Sequence, residues 1–484
     1  MIQATELPRS TPEAQGIASS AIQAFIDAIE QSSLGVHSFL LIRNGHNVAE
    51  GWWKPYAADL PHSMFSVSKS FTSTAIGLAI SEGRLSLDDS VISFFPAYVT
   101  PEIRENMGAL QVRHLLSMST GHAEDTFPAM TGSTDDEWAR VFLSLPITYT
   151  PGTHFLYNTG ATFMLSAILQ SLTGQTLVEY LQPRLFQPLG IEAPFWQANK
   201  KGIALGGTGL HIRTVDLAKF GLLYLQRGVW NGQRLVPEAW IEEATRAHIS
   251  NGDDPNSDWS QGYGFQFWRS RHNAYRGDGA FGQFCVVMPQ YNAILAMTSG
   301  TTDMQGILNA VWDHLLPGMN EAALPEQAGA TDALSERLAQ LALPLPKSLD
   351  SAPATAERIA GRTIRLEKNE VHMHEVSFTF GEDTSTFKVR DDKGEEYSVH
   401  CGRTDWTLDS TPLWSYSAPS SPLRIAAHGG WSDEHTFVMD WQYIETPFRH
   451  IITFDFQDDR IDVSVELDLP FWTKRVERFQ GHLG

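Results

Sequence analysis

Apolar residues at Ile17, Ile22, Phe25, Ile26 and Ile29 recur at helical spacing after a Thr-Pro-Glu start and predict a helix over 17–30. The period then shortens. Residues 38–43 and 47–52 read as two strands around Asn44-Gly45, a dipeptide suited to a tight hairpin. Residues 66–82 form a long helix of small and aliphatic residues, with Gly83 placed to cap it. Further helices are expected near 111–118, 160–172, 178–185, 215–226 and 237–246. Strand character returns at 263–268, 283–288 and 293–298, and a helix over 303–316 follows. A helix, two strands, a large helical insertion, three strands and a last helix predict an α+β domain. Its antiparallel sheet is flanked by the terminal helices.

From residue 319 the pattern changes. Residues 319–355 are rich in Ala, Pro, Leu and Ser and read as a linker with one short helix. Beyond them come short strands at 363–366, 376–380, 384–390, 395–399, 424–427, 436–443, 450–456 and 460–467, separated by turns. An all-β antiparallel barrel or curled meander, lipocalin-like in plan, fits this pattern. The expected domains are thus 1–318, a linker over 319–355, and an accessory barrel over 356–484. The barrel reads more readily as a packed accessory domain than as a ligand cup.

Composition agrees with two cores: the chain has 484 residues, 42% hydrophobic and 19% charged. A net charge of −21 opposes phosphate backbones and anionic lipid, so neither nucleic acid nor membrane is an expected partner. Two cysteines, Cys285 and Cys401, exclude a disulfide scaffold and a cysteine-rich zinc site. No basic and apolar leader opens the chain, and no apolar run approaches the roughly 20 residues that span a bilayer. The expected location is cytoplasmic.

Candidate chemistry comes from serine three residues before lysine, which occurs at Ser66-Val67-Ser68-Lys69 and Ser385-Thr386-Phe387-Lys388. On a helix such residues share a face, within about 5–6 Å; on a strand they point apart. Ser385 falls in a strand, so the second match carries no chemistry. Ser66 opens a helix. A hydroxyl needs a base beside it, and lysine becomes one when burial lowers its pKa from about 10.4. The apolar helix around Phe71, Ala75, Ile76 and Ile80 would supply that burial. In isolation, Ser-x-x-Lys is more often a surface lysine on an ordinary helix.

The surroundings change that weighting. Ser63 to Phe71 closely resembles the first motif of the serine β-lactamase and penicillin-binding-protein superfamily, which includes class C β-lactamases, esterases and 6-aminohexanoate-dimer hydrolases. Gly83 to Asp89, Val112 to Gly121 and Pro151 to Gly160 resemble the elements that follow in that group, over roughly residues 10–318. The resemblance implies a β-lactamase/transpeptidase-like fold, Ser66 as nucleophile, and Lys69 and Tyr157 as proton carriers. The usual Tyr-x-Asn is altered: Asn158 follows Tyr157 directly and Thr159 stands where the asparagine belongs, so both are candidate substrate contacts.

The third motif of the group, often Lys-Thr-Gly, corresponds to Tyr275-Arg276-Gly277-Asp278-Gly279-Ala280, without lysine. The resemblance makes Ala280 a candidate oxyanion donor beside Ser66, and Arg276 and Asp278 candidate substrate contacts. Gly277 to Gly282 also fits GxGxxG, but the strand after it excludes a dinucleotide site. Loss of the lysine, which binds a substrate carboxylate in β-lactamases and D,D-peptidases, favours an esterase or amidase. His62 and His122 read as loop residues flanking the cleft, and His372 and His374 lack further metal ligands. GxSxG and HExxH are absent. The expectation is a serine hydrolase acting through an acyl-enzyme on a small ester, amide or peptide, without cofactor or metal. The alternatives are a β-lactamase, a D-aminoacyl peptidase, a penicillin-binding-protein-type peptide cyclase, and a non-catalytic binding module.

Overall fold

A computed structural model describes residues 6–326, 329–414, 419–469 and 473–484. The chain divides into two compact units, Met1–Gly51 with Pro61–Gln340, and Trp52–Leu60 with Leu341–Gly484. Residues 319–355 are shared out between them: the helix Ala330–Ala339 lies in the first unit, and 341–355 lie in the second.

The first unit is built on a six-stranded sheet. Its strands are β1 (Val36–Arg43), β2 (His46–Trp52), β3 (Trp268–Arg269), β4 (Tyr275–Gly279), β5 (Gln283–Met288) and β6 (Ala293–Ser299), in the order β2-β1-β6-β5-β4-β3. The pairings of β1 with β6, β6 with β5, β5 with β4 and β4 with β3 are antiparallel. The sequence therefore brings its first hairpin against its last strand. Helix α1 (Ser19–Gln31) buries Ile22, Phe25, Ile26 and Ile29, as its periodicity predicts. The insertion carries α2 (Ser68–Ser81), α3 (Thr159–Thr173) and α4 (Thr214–Leu225).

Every residue of α2 from Ser68 to Ala79 is buried, which explains why it lacks a polar stripe. Phe71 stacks on Phe220 of α4 with centroids 3.9 Å apart; truncating such a buried ring costs about 3–5 kcal/mol. A Cβ on Gly77 would lie 2.2 Å from the Trp240 ring, so the helix needs glycine there despite its cost of about 1 kcal/mol in helix propensity.

Strand β4 is not among the predicted strands: the Arg-Gly-Asp-Gly stretch nevertheless pairs residue for residue with β5. Its glycines are set by what lies beneath. A Cβ on Gly279 would meet Met64 O at 2.3 Å, and one on Gly277 would meet Ser70 Oγ at 3.1 Å. They admit the strand to the segment that carries Ser66.

In the second unit, β7 (Thr363–Leu366), β8 (Met373–Phe380), β9 (Thr384–Asp391), β10 (Glu396–Gly402), β11 (Thr407–Thr411), β12 (Leu423–Trp431), β13 (Thr436–Gln442), β14 (Arg449–Gln457), β15 (Arg460–Leu469) and β16 (Thr473–Leu483) form one sheet. Nine strands close into a barrel, β10-β9-β8-β7-β16-β15-β14-β13-β12, through a parallel bridge from Gly402 to His428; β11 pairs with the outer side of β12. The interior is packed with rings, among them Phe378 with Phe454 (5.0 Å) and Phe387 with Trp441 (5.9 Å). β11 and β16 escape the sequence pattern because their polar and charged residues mask the alternation. Ser385 points inward and Lys388 outward, as their strand placement requires. Residues 52–60 join this unit, where Tyr56 donates to Thr446 O at 3.2 Å.

Candidate active site

Ser66 sits in a short 3₁₀ turn, Phe65–Val67, that feeds directly into α2. Phe65 before it has φ 45°, a left-handed conformation that costs a non-glycine residue roughly 1–3 kcal/mol. Ser66 remains partly exposed while Lys69, one turn on, is 1% exposed. Lys69 Nζ lies 3.1 Å from Ser66 Oγ, 3.3 Å from Thr159 Oγ1 and 2.8 Å from Gly207 O. Burial pulls its pKa down to about 7, against the opposing pull of the Asp125 and Asp278 carboxylates.

Tyr157 immediately precedes the capping residue of α3, and its ring centre is 4.7 Å from Lys69 Nζ. Ser66 and the Trp268 indole lie close enough to its phenol to favour the phenolate. Burial nevertheless holds the phenol pKa above its ordinary value, with the Asp278 and Asp125 carboxylates acting in the same direction. A hydroxyl and an amine one helical turn apart thus meet a phenol brought from a remote part of the chain.

The altered second motif separates two roles. Asn158 is fully buried: its Oδ1 accepts from Thr126 Oγ1 (2.7 Å), Thr126 N (3.2 Å) and Ala161 N (3.2 Å). It caps α3 and has no face toward a substrate. Thr159 faces Lys69 instead. Arg276 is also fully buried, bonded to Asp258 O (2.8 Å), Ser270 Oγ (2.7 Å) and Asp278 Oδ2 (2.8 Å), with Trp259 over its guanidinium at 4.6 Å. It is not placed to receive a carboxylate as the missing lysine would. Asp278 is 8% exposed, and burial lifts its pKa to about 6 against the pull of Arg276.

Ala280 lies in the turn after β4, half-buried. Phe281 beside it packs edge-on to Phe65, centroids 5.3 Å apart, which brings this turn next to Ser66. The N–H groups of Ser66 and Ala280 find no acceptor among the described residues.

His62 and His122 are both buried. His62 pairs with His37, Nε2 to Nδ1 at 3.1 Å, and His122 packs on Phe142 with Nδ1 2.9 Å from Thr120 Oγ1; burial lowers its pKa to about 4. In the barrel, His372 pairs with Asp392 at 3.0 Å, and no metal-binding cluster occurs among the described residues.

Two contributors escape the sequence reading. Asp125 Oδ1 accepts from Thr159 N (2.8 Å) and Phe127 N (3.0 Å), fixing the start of α3 beside Lys69. Gly207 supplies a carbonyl to Lys69, and a Cβ there would lie 2.8 Å from Thr159 Cγ2 and 3.0 Å from Thr159 O. The Gly206-Gly207 pair was the available signal: two adjacent glycines in a loop permit close approach of backbone.

A sequence model of the family described as Beta-lactamase matches residues 21–313, more than half of the chain. The chain belongs to the β-lactamase family. It is 26% identical over 289 residues to the 6-aminohexanoate-dimer hydrolase of Paenarthrobacter ureafaciens, covering 55% of this chain and 73% of that one. It is 27% identical over 175 residues to the lovastatin esterase of Penicillium rubens, covering 31% and 42%. Among solved structures, a putative 6-aminohexanoate-dimer hydrolase from Bacillus anthracis superposes with a TM-score of 0.54 at 20% identity, over 64% of this chain and 87% of that one. No described helix is long and apolar enough to cross a membrane.

Proposed function

We propose that this β-lactamase-family chain is a serine hydrolase that cleaves ester or amide bonds through an acyl-enzyme on Ser66. One observation carries the reading: a fully buried amine, whose pKa burial draws down to about 7, lies 3.1 Å from a reachable serine hydroxyl. A neutral amine has two N–H groups and one lone pair. Gly207 O and Thr159 Oγ1 accept the two N–H groups, and the lone pair is left for the Ser66 proton.

As Ser66 Oγ bonds to the substrate carbonyl carbon, its proton passes to Lys69, and the carbonyl electron pair moves to oxygen. The free N–H groups of Ser66 and Ala280 hold that oxyanion. Tyr157, kept protonated by burial, donates to the leaving alcohol or amine as the tetrahedral intermediate collapses, and Lys69 returns a proton to the phenoxide. Water then attacks the acyl-enzyme with Lys69 as base, and Ser66 leaves as the free hydroxyl. Asn158 and Arg276 act as positioning residues, Asn158 for α3 and Arg276 for Asp278. The names of two relatives, a dimer hydrolase and an esterase, support both bond types. The ring-packed barrel is read as an accessory domain.

A fluorophosphonate probe tests the reading. The expected result is covalent mass on the Ser66 peptide, absent in Ser66→Ala, together with turnover of p-nitrophenyl acetate. No label and no turnover would instead favour a binding module on this fold.

A further inference from the structure

We infer that Asp278 is a specificity-determining residue that receives a cationic ammonium group of the substrate, so that the site prefers positively charged acyl esters and amides. The inference rests on the acyl-transfer reading of Ser66.

Asp278 sits next to the end of β4, opposite Phe284. Its neighbours Gly277 and Gly279 turn toward Ser70 and Met64, so its own side chain points to the other face of the strand. Arg276, on that same face, lies against Trp259 and Trp268, which cluster with Tyr157 and Tyr263. The carboxylate is within electrostatic reach of Lys69 and Tyr157. Its Oδ2 accepts from Arg276 Nε at 2.8 Å and lies at ion-pair distance, 2.8 Å, from Nη2, while Oδ1 has no hydrogen-bond partner among the described residues.

Arg276 does not cancel this charge at the cleft. The guanidinium is fully buried and anchored to Asp258 O and Ser270 Oγ, whereas the largely buried Asp278 keeps 8% of its surface accessible. Asp125, part-buried at the start of α3, adds a second negative charge near Lys69. With Lys69 neutral in its active form, the pocket presents two carboxylates and no exposed cation among these groups. A carboxylate-bearing substrate would meet like charge in a site of restricted solvent.

The experiment compares kcat/KM for three p-nitrophenyl esters of matched shape: 4-(trimethylammonio)butanoyl, 5,5-dimethylhexanoyl and 4-sulfobutanoyl. The wild-type protein is expected to favour the cationic ester over its neutral isostere by about tenfold or more, and to disfavour the anionic one by a similar factor. In Asp278→Asn the cationic-to-neutral ratio falls by about tenfold, and Asp278→Glu restores part of it. A wild-type ratio at or below unity overturns the inference, whatever the variants do. Absence of Ser66-dependent release from all three esters overturns the acyl-transfer reading itself.

Discussion

Replacing Lys69 with methionine should cut activity sharply and stabilise the fold at the same time. In the unfolded chain the amine stays protonated up to about 10.5, whereas burial brings the folded value down to about 7. Between these values the unfolded state holds more protons, so stability rises with pH across that window. The penalty is full below about 7 and gone above about 10.5. A shift of about 3.5 units corresponds to ~5 kcal/mol lost to the buried amine at acidic pH. Methionine removes that loss but leaves Gly207 O without its 2.8 Å donor, a cost of about 1–3 kcal/mol. The variant should therefore be more stable by ~2–4 kcal/mol at pH 6, and the advantage should vanish or reverse near pH 9.5. Urea unfolding of both proteins at the two pH values, followed by tryptophan fluorescence, reads the difference; other titrations cancel between them. Hydrolysis of p-nitrophenyl acetate should fall by about 10²–10⁴. A methionine variant equally destabilised at both pH values would refute the claim that Lys69 is an amine held neutral by burial.

The pH profile of kcat/KM should drop about tenfold per unit below roughly pH 7 and level off above it, since only neutral Lys69 accepts a proton; a flat profile from pH 5 to 8 contradicts this role. Tyr157→Phe should slow amide hydrolysis by about 10²–10⁴ but p-nitrophenyl esters far less, because nitrophenolate leaves without a proton; equal losses would mean that Tyr157 does not protonate the leaving group. In Gly207→Ala the new Cβ would press on Thr159 at 2.8–3.0 Å, and kcat should fall about tenfold or more as the carbonyl leaves Lys69, with circular dichroism unchanged. Unaltered kcat would show that this carbonyl does not orient the amine.

Much of the site was legible because its chemistry is local. Ser66 and Lys69 stand one helical turn apart, and the apolar run behind them announces that the lysine will be buried. Tyr157 was reachable through the likeness of residues 151–160 to the second motif of the superfamily, the family to which residues 21–313 match. The fold class followed from the order of periods along the chain, and the barrel from repeated short strands, although β11 and β16 were lost among polar residues.

What stayed hidden depends on neighbours distant in sequence. The glycines of β4 lower its strand propensity, and nothing nearby reveals that Met64 O lies 2.3 Å from where a Cβ would stand. Local composition therefore gave no strand signal where tertiary contact demanded a strand. The same holds for Gly207, whose contribution is a carbonyl that every residue type possesses; only its nearness to Thr159 and Lys69 makes glycine necessary. Asn158 shows the opposite failure, a polar residue in a catalytic motif whose amide is consumed in capping α3. Arg276 seemed a substitute for the missing lysine, yet its i+2 partner on the same strand face holds it in the interior. Motif spacing identifies which side chains can meet, but burial decides which member of a pair faces the substrate. Here it selects the acid, and this reverses the charge that the third motif offers to a ligand.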